Sequence, residues 1–98
     1  MKIARNLGDR EEHVLSRVED LNVYVTSYVG EYPAHKHPKD EFFFVLEGQL
    51  QLDFNGKKVV LVKGEGITVP RETIHKPTAR CRALIMKIEP VEFPFEKV

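Results

Sequence analysis

The chain has 98 residues, which suits one domain with a modest core and not two. Basic and acidic residues balance at 15 each, and no run of Lys or Arg supplies the positive charge that a phosphate backbone requires, which argues against nucleic acid as a partner. The longest apolar run, residues 42–46, is far too short to cross a bilayer. The N-terminus has no apolar signal segment, and the single Cys81 cannot form an internal disulfide, so a cytoplasmic location is expected. Charged residues at 31% lean towards a thermophilic source.

Residues 1–12 are polar, are interrupted by Gly8, and read as an N-terminal arm or short edge strand. From His13 onward the periodicity is two, which predicts strands. Val14, Ser16 and Val18 alternate with Leu15 and Arg17, and Glu19-Asp20 supplies a turn. Leu21, Val23, Val25, Ser27 and Val29 then line one face of a strand whose other face carries Tyr24 and Tyr28. The lone His13 reads as a surface residue, because nothing near it would complete a site.

Glu41–Glu47 predicts a strand that is apolar on both sides: Phe43 and Val45 in phase with Glu41, and Phe42, Phe44 and Leu46 opposite. Cover for the second side would come from another subunit, or from the arm and tail of the same chain. Gly48 breaks the pattern. Leu50, Leu52 and Phe54 then alternate with Gln49, Gln51 and Asp53, and Asn55-Gly56 is the strongest hairpin signal present. Lys58–Val62 is the returning strand. Gly66–Pro70, Thr73–Thr78 and Cys81–Glu89 predict three more, with Pro70, Pro77 and Pro90 at strand ends. Residues 91–98 form a tail whose Phe93 and Phe95 are expected on an outer surface. The apolar period of a helix is absent, and frequent turn signals predict an all-β sandwich or barrel.

Chemistry concentrates between Gly30 and Gly48. His35 and His37 are two apart, so on extended backbone they share a face, and Glu41 joins them if the Pro38-Lys39-Asp40 turn keeps the phase. Alone, the triplet reads equally as two loop histidines and a surface glutamate. His75, from a later strand, would be a fourth ligand. Three neutral imidazoles and one carboxylate suit a divalent transition metal, and Fe, Mn, Ni, Cu and Zn all accept the set.

These residues resemble the cupin superfamily, in particular its small single-domain metal-binding members. The family's first motif is Gly, five residues, His-x-His, three or four residues, Glu, six residues, Gly. Here His35, His37, Glu41 and Gly48 fit, and Gly30 stands one residue too near His35. The second motif is Gly, five residues, Pro-x-Gly, two residues, His, three residues, Asn. Gly64, Pro70 and His75 match, while Glu72 replaces the glycine and Ala79 the asparagine. A glycine before the histidine usually permits positive φ, which Glu adopts at a cost.

The resemblance implies one cupin domain over residues 1–98. Its fold would be a double-stranded β-helix, a jelly-roll barrel of short antiparallel strands. It also implies His35, His37, Glu41 and His75 as metal ligands. The expected function is a small metal-dependent enzyme, an oxidoreductase of dioxygenase type or an isomerase using Lewis-acid chemistry, acting on a small molecule. The alternatives are a non-catalytic module that binds or senses a small molecule, and an interaction protein with a structural metal. Phe43, Val45, Ile67 and Ile85 would wall the site, and no separate general base is evident. Phe42, Phe44, Leu46 and the tail phenylalanines would pair two copies as a homodimer, the arm adding at a sheet edge.

Overall fold

The computed structural model describes residues 12–90 and the backbone of residues 96–97. Nine strands follow in chain order: β1 (Glu12–Val18), β2 (Leu21–Glu31), β3 (His35–Lys36), β4 (Glu41–Glu47), β5 (Gln49–Phe54), β6 (Lys57–Val62), β7 (Gly66–Val69), β8 (His75–Pro90) and β9 (Glu96–Lys97). All pairs are antiparallel. No helix occurs among the described residues.

β8 organises the rest. Its C-terminal half lies between β2 and β4, with β1 outside β2 and β7 outside β4. Its N-terminal half pairs with β5, which carries β6, and with β3, which carries β9. The sequence divides this segment into two strands, Thr73–Thr78 and Cys81–Glu89, but it is one strand of 16 residues. At its centre Arg80, Cys81 and Arg82 are exposed, where the register with β2 shifts between Tyr28 and Gly30. Such a bulge bends a strand and lets it pass from one sheet to the other. Pro77 therefore lies inside β8, not at an end. It pairs with Leu52 of β5, and its carbonyl accepts from the Tyr32 amide at 3.1 Å.

The turns form as the residues demand. Asn55 and Gly56 both take positive φ, 52° and 69°, the signature of a two-residue hairpin. Glu19 turns β1 into β2 with φ of 56°. At Gly48 a side chain would stand 3.0 Å from the Ala83 Cα, so the close approach of this turn to β8 requires glycine.

Inside, Phe43 and Val45 of β4 meet Leu50, Leu52, Leu61, Val69, Ala79, Ala83 and Ile85, all buried. The alternation expected for β4 holds: Glu41, Phe43 and Val45 are buried, while Phe42, Phe44 and Leu46 are half-buried on the other face. Val25 and Leu84 are buried on that outer face, with Leu46 packed against them. Ala79, in the place of the family asparagine, is a core residue. Phe93, Phe95 and the arm over residues 1–11 lie outside the described residues. Glu12, the last residue assigned to the arm, opens β1.

Candidate metal centre

His35 stands in β3 directly opposite His75, the first residue of β8. His37 follows one residue beyond β3, and Glu41 opens β4. The Pro38-Lys39-Asp40 turn preserves the phase, and all four side chains converge. One ligand atom from each lies within 4.8 Å of those of the others. The His35 and His75 rings stand 4.2 Å apart, and those of His35 and His37 4.9 Å apart, edge to face. His37, Glu41 and His75 are buried and His35 is half-buried, so the cluster opens to solvent on the His35 side.

Local hydrogen bonds fix two of the rings. Nδ1 of His35 donates to the Pro33 carbonyl at 2.9 Å, and Nδ1 of His75 to the Thr73 carbonyl at 3.0 Å. A carbonyl only accepts, so each Nδ1 carries the proton and each Nε2 of the neutral ring keeps a lone pair. His75 Nε2 then faces Glu41 Oε1 at 3.3 Å, and His37 Nε2 lies 3.6 Å from the same oxygen. Both Glu41 Oε1 and His75 Nε2 are buried without a hydrogen-bond partner. Two buried acceptors aimed at each other repel, unless a proton or a cation sits between them. The donor set, the tautomers and the orphaned acceptors all fit a divalent cation.

The stretch from His35 to Glu41 and the turn that leads into His75 are tied together. The Glu72 amide donates to the His37 carbonyl at 2.7 Å, and the Arg71 amide to Asp40 Oδ1 at 2.8 Å. Glu72 occupies the glycine position of the second motif and does adopt φ of 62°. Left-handed geometry costs a non-glycine residue about 1–2 kcal/mol, which the entropy of glycine would partly return. Its exposed side chain reaches Lys36 at 3.6 Å, which adds little. Glu72→Gly should therefore stabilise the fold by about 0.5 kcal/mol and leave the ligands in place. Thermal unfolding of the two proteins checks this, and a lower midpoint in the variant would contradict the strain argument.

Beside the cluster, the inner wall is more polar than the sequence suggests. Phe43 is buried there as expected, its ring 6.1 Å from that of His75, and Ile85 is buried in the same core. Lys87 and Glu89 are buried too. Phe43 pairs with Lys87, so continuing the register places Glu89 opposite Glu41. Lys87 Nζ bonds Glu12 Oε2 at 2.8 Å, lies 4.0 Å from Glu89 Oε2, and sits 5.8 Å from the centre of the Tyr28 ring. Burial alone would push the Glu41 carboxyl up, but Glu89 and the Lys87 charge, and His75 whenever a proton sits on its Nε2, hold it below the ordinary carboxylate range. Glu89 moves the other way, raised by burial against the pull of Lys87 and with help from its hydrogen bond to Glu41. Burial pushes the Tyr28 hydroxyl up to about 12. Lys87 and Glu89 were legible only as alternate residues of a strand. Leu84, Met86 and Ile88 are the apolar set there, and a simple pattern would turn those inward.

Residues 24–86 match the family model Cupin_2, Cupin domain. The chain belongs to the cupin family. Its 85-residue match to the uncharacterized protein YdbB of Bacillus subtilis (strain 168) is 34% identical and covers 82% of this cupin and 75% of the relative. A cupin-2 domain protein from Shewanella frigidimarina NCIMB 400 superposes with a TM-score of 0.86 at 32% identity, over 91% of this chain and 88% of that one. Hydroquinone 1,2-dioxygenase PnpCD, solved with Cd2+ and 4-hydroxybenzonitrile, superposes with a TM-score of 0.79 at 17% identity, over 91% and 69% of the two chains. At that identity the likeness is one of fold. The jelly-roll expectation is thus met. Among the described residues no helix is long and apolar enough to cross a membrane.

Proposed function

We propose that this cupin binds a divalent transition metal through His35, His37, Glu41 and His75 and uses it as a small-molecule enzyme of dioxygenase or isomerase type. The observation that carries the reading is the pair of buried acceptors, Glu41 Oε1 and His75 Nε2, facing each other at 3.3 Å. A bound metal would supply Lewis acidity, or O2 activation if it is iron or manganese. The protein's part is preorganisation. Pro33 and Thr73 carbonyls set the tautomers of His35 and His75, and the tied segments hold His37 against Glu72. Phe43, Val45 and Ile85 make the apolar wall that would limit water. The dioxygenase branch draws support from the fold likeness to PnpCD.

The test is elemental analysis of protein purified without a histidine tag, followed by oxygen uptake with hydroquinone and substituted phenols. Near-stoichiometric metal with oxygen consumption supports the enzyme. Metal without turnover over a broad panel favours a binding module, and no metal affinity refutes the reading.

The same proposal includes a homodimer. Phe42, Phe44 and Leu46 form a half-buried apolar strip, the two rings stacked with centres 6.4 Å apart, continuous with buried Val25 and Leu84. Val14, Leu15, Val18 and Leu21 are exposed near one sheet edge. Phe44→Glu should shift light scattering towards 11.3 kDa while sparing metal uptake, because its side chain points away from the ligands. A wild-type mass already near 11.3 kDa would refute the dimer.

A further inference from the structure

Lys87 is a buried cation whose one role so far is to help keep the Glu41 carboxyl ionised. It points into the barrel between Tyr24 of β2 and Phe43 of β4, its register partners. An apolar residue there would pack with Phe43, Val45 and Ile85 without the cost of burying a charge. The ammonium is kept charged nonetheless. Burial works against it, but Tyr28, Glu89, Glu41 and Glu12 together hold its pKa above the ordinary lysine value.

Its hydrogen-bonded carboxylate is Glu12, at 2.8 Å, while Glu89 is beyond hydrogen-bond reach at 4.0 Å. Glu12 is far more open than its partner, with 42% of its side chain exposed against 10% for Lys87. It comes from β1, which pairs with β2, and every described β1 residue except half-buried His13 is exposed. A strand with little packing of its own therefore supplies the neutralising charge. Lys87 lies on the same inner wall as Glu41, two residues along and one strand across, about 7 Å along the strand.

We propose that Lys87 binds the carboxylate of a small-molecule ligand, in the place that the Glu12 side chain holds in this structure. The ligand class is a small carboxylic acid with a second oxygen function at its other end, which reaches the four-ligand cluster. The proposal rests on the metal reading for that second contact. A carboxylate fits better than a phosphate, since Lys87 is the ammonium that the described residues place on this wall. Glu12 is a resident competitor, so its removal strengthens ligand binding, whereas removal of Lys87 weakens it. A purely structural ion pair gives neither effect.

The experiment uses the full chain loaded with Co2+, titrated with succinate and glutarate by calorimetry and by the visible cobalt spectrum. Lys87→Met and Glu12→Gln are compared with wild type, with cobalt content measured in each. Each protein is loaded at saturating Co2+ and affinities are compared per loaded site, because the Lys87 charge also helps keep Glu41 ionised; acid binding is expected about tenfold weaker in Lys87→Met and severalfold tighter in Glu12→Gln. Equal affinities in the three proteins, or no acid binding by cobalt-loaded wild type, would overturn the proposal while leaving the metal reading intact. Failure of wild type to take up cobalt would overturn both. Should Lys87→Met not fold, Glu12→Gln decides alone: tighter binding supports the assignment, and unchanged or weaker binding overturns it.

Discussion

His75→Ala is expected to lower metal affinity by more than the roughly 10–100-fold that loss of a supporting second-shell partner costs. The imidazole is almost fully buried, its Nε2 has no hydrogen-bond partner, and its Nδ1 is already committed to Thr73. Among the described residues, the cluster holds no imidazole besides those of His35, His37 and His75. The fold should survive, because the core is built by Phe43, Leu50, Leu52, Ile85 and their neighbours. Glu41→Gln sharpens the test. Its amide could donate to His75 Nε2, turning two opposed acceptors into a hydrogen bond. Metal-free Glu41→Gln should then be more stable than metal-free wild type, by about 1–3 kcal/mol, while its metal affinity falls. Metal titration and chemical denaturation of both variants supply the two readouts. Wild-type metal stoichiometry in His75→Ala, or a metal-free Glu41→Gln less stable than wild type, would contradict the opposed-acceptor geometry.

The second large effect is on pH. An imidazolium has no lone pair for a metal, so each histidine that must shed a proton costs about a tenfold loss of affinity per pH unit below its pKa. With three histidines the slope can approach about three decades per unit. Burial lowers the His35 pKa below 6.5, against the hydrogen bond to Pro33, so His35 should be the ligand that resists acid longer than a free imidazole. The sign for the metal-free fold follows. A depressed folded pKa means that the unfolded chain takes the proton first. The contribution of His35 to stability is thus complete above about 6.5 and is lost as pH falls through its lower folded value. Competition with a chelating dye between about pH 7.5 and 5.5 measures the slope. An affinity flat across that interval would count against histidine ligation.

Much of the site was readable because it depends on local spacing. His35, His37 and Glu41 needed only extended backbone and an intact phase, and both are present. The left-handed Glu72 was legible as a glycine replaced. What the sequence concealed depends on which side of a sheet is inside. In β8 the apolar residues Leu84, Met86 and Ile88 turn away from the barrel, while Lys87 and Glu89 turn inward. Hydrophobic pattern ranks faces by polarity, and here both faces of the sheet are covered to some degree. The continuity of β8 was hidden for a related reason. Exposed Arg80, Cys81 and Arg82 look like a loop, whereas they are the bulge on which the strand bends.

The central place of β8 also bears on how the molecule comes into being. β2 is synthesised early, yet its register partners run from Thr78 to Pro90. At about 5–20 residues per second, roughly 60 residues separate the end of β2 from the end of β8, a delay of about 3–12 s. During that interval Val23, Val25 and Tyr28 have no sheet to join apart from the β1 hairpin. Distant pairings of this kind make for slow folding and a nascent chain open to aggregation. Translation rate and chaperone supply should therefore govern the yield of this small protein more than the stability of its finished fold.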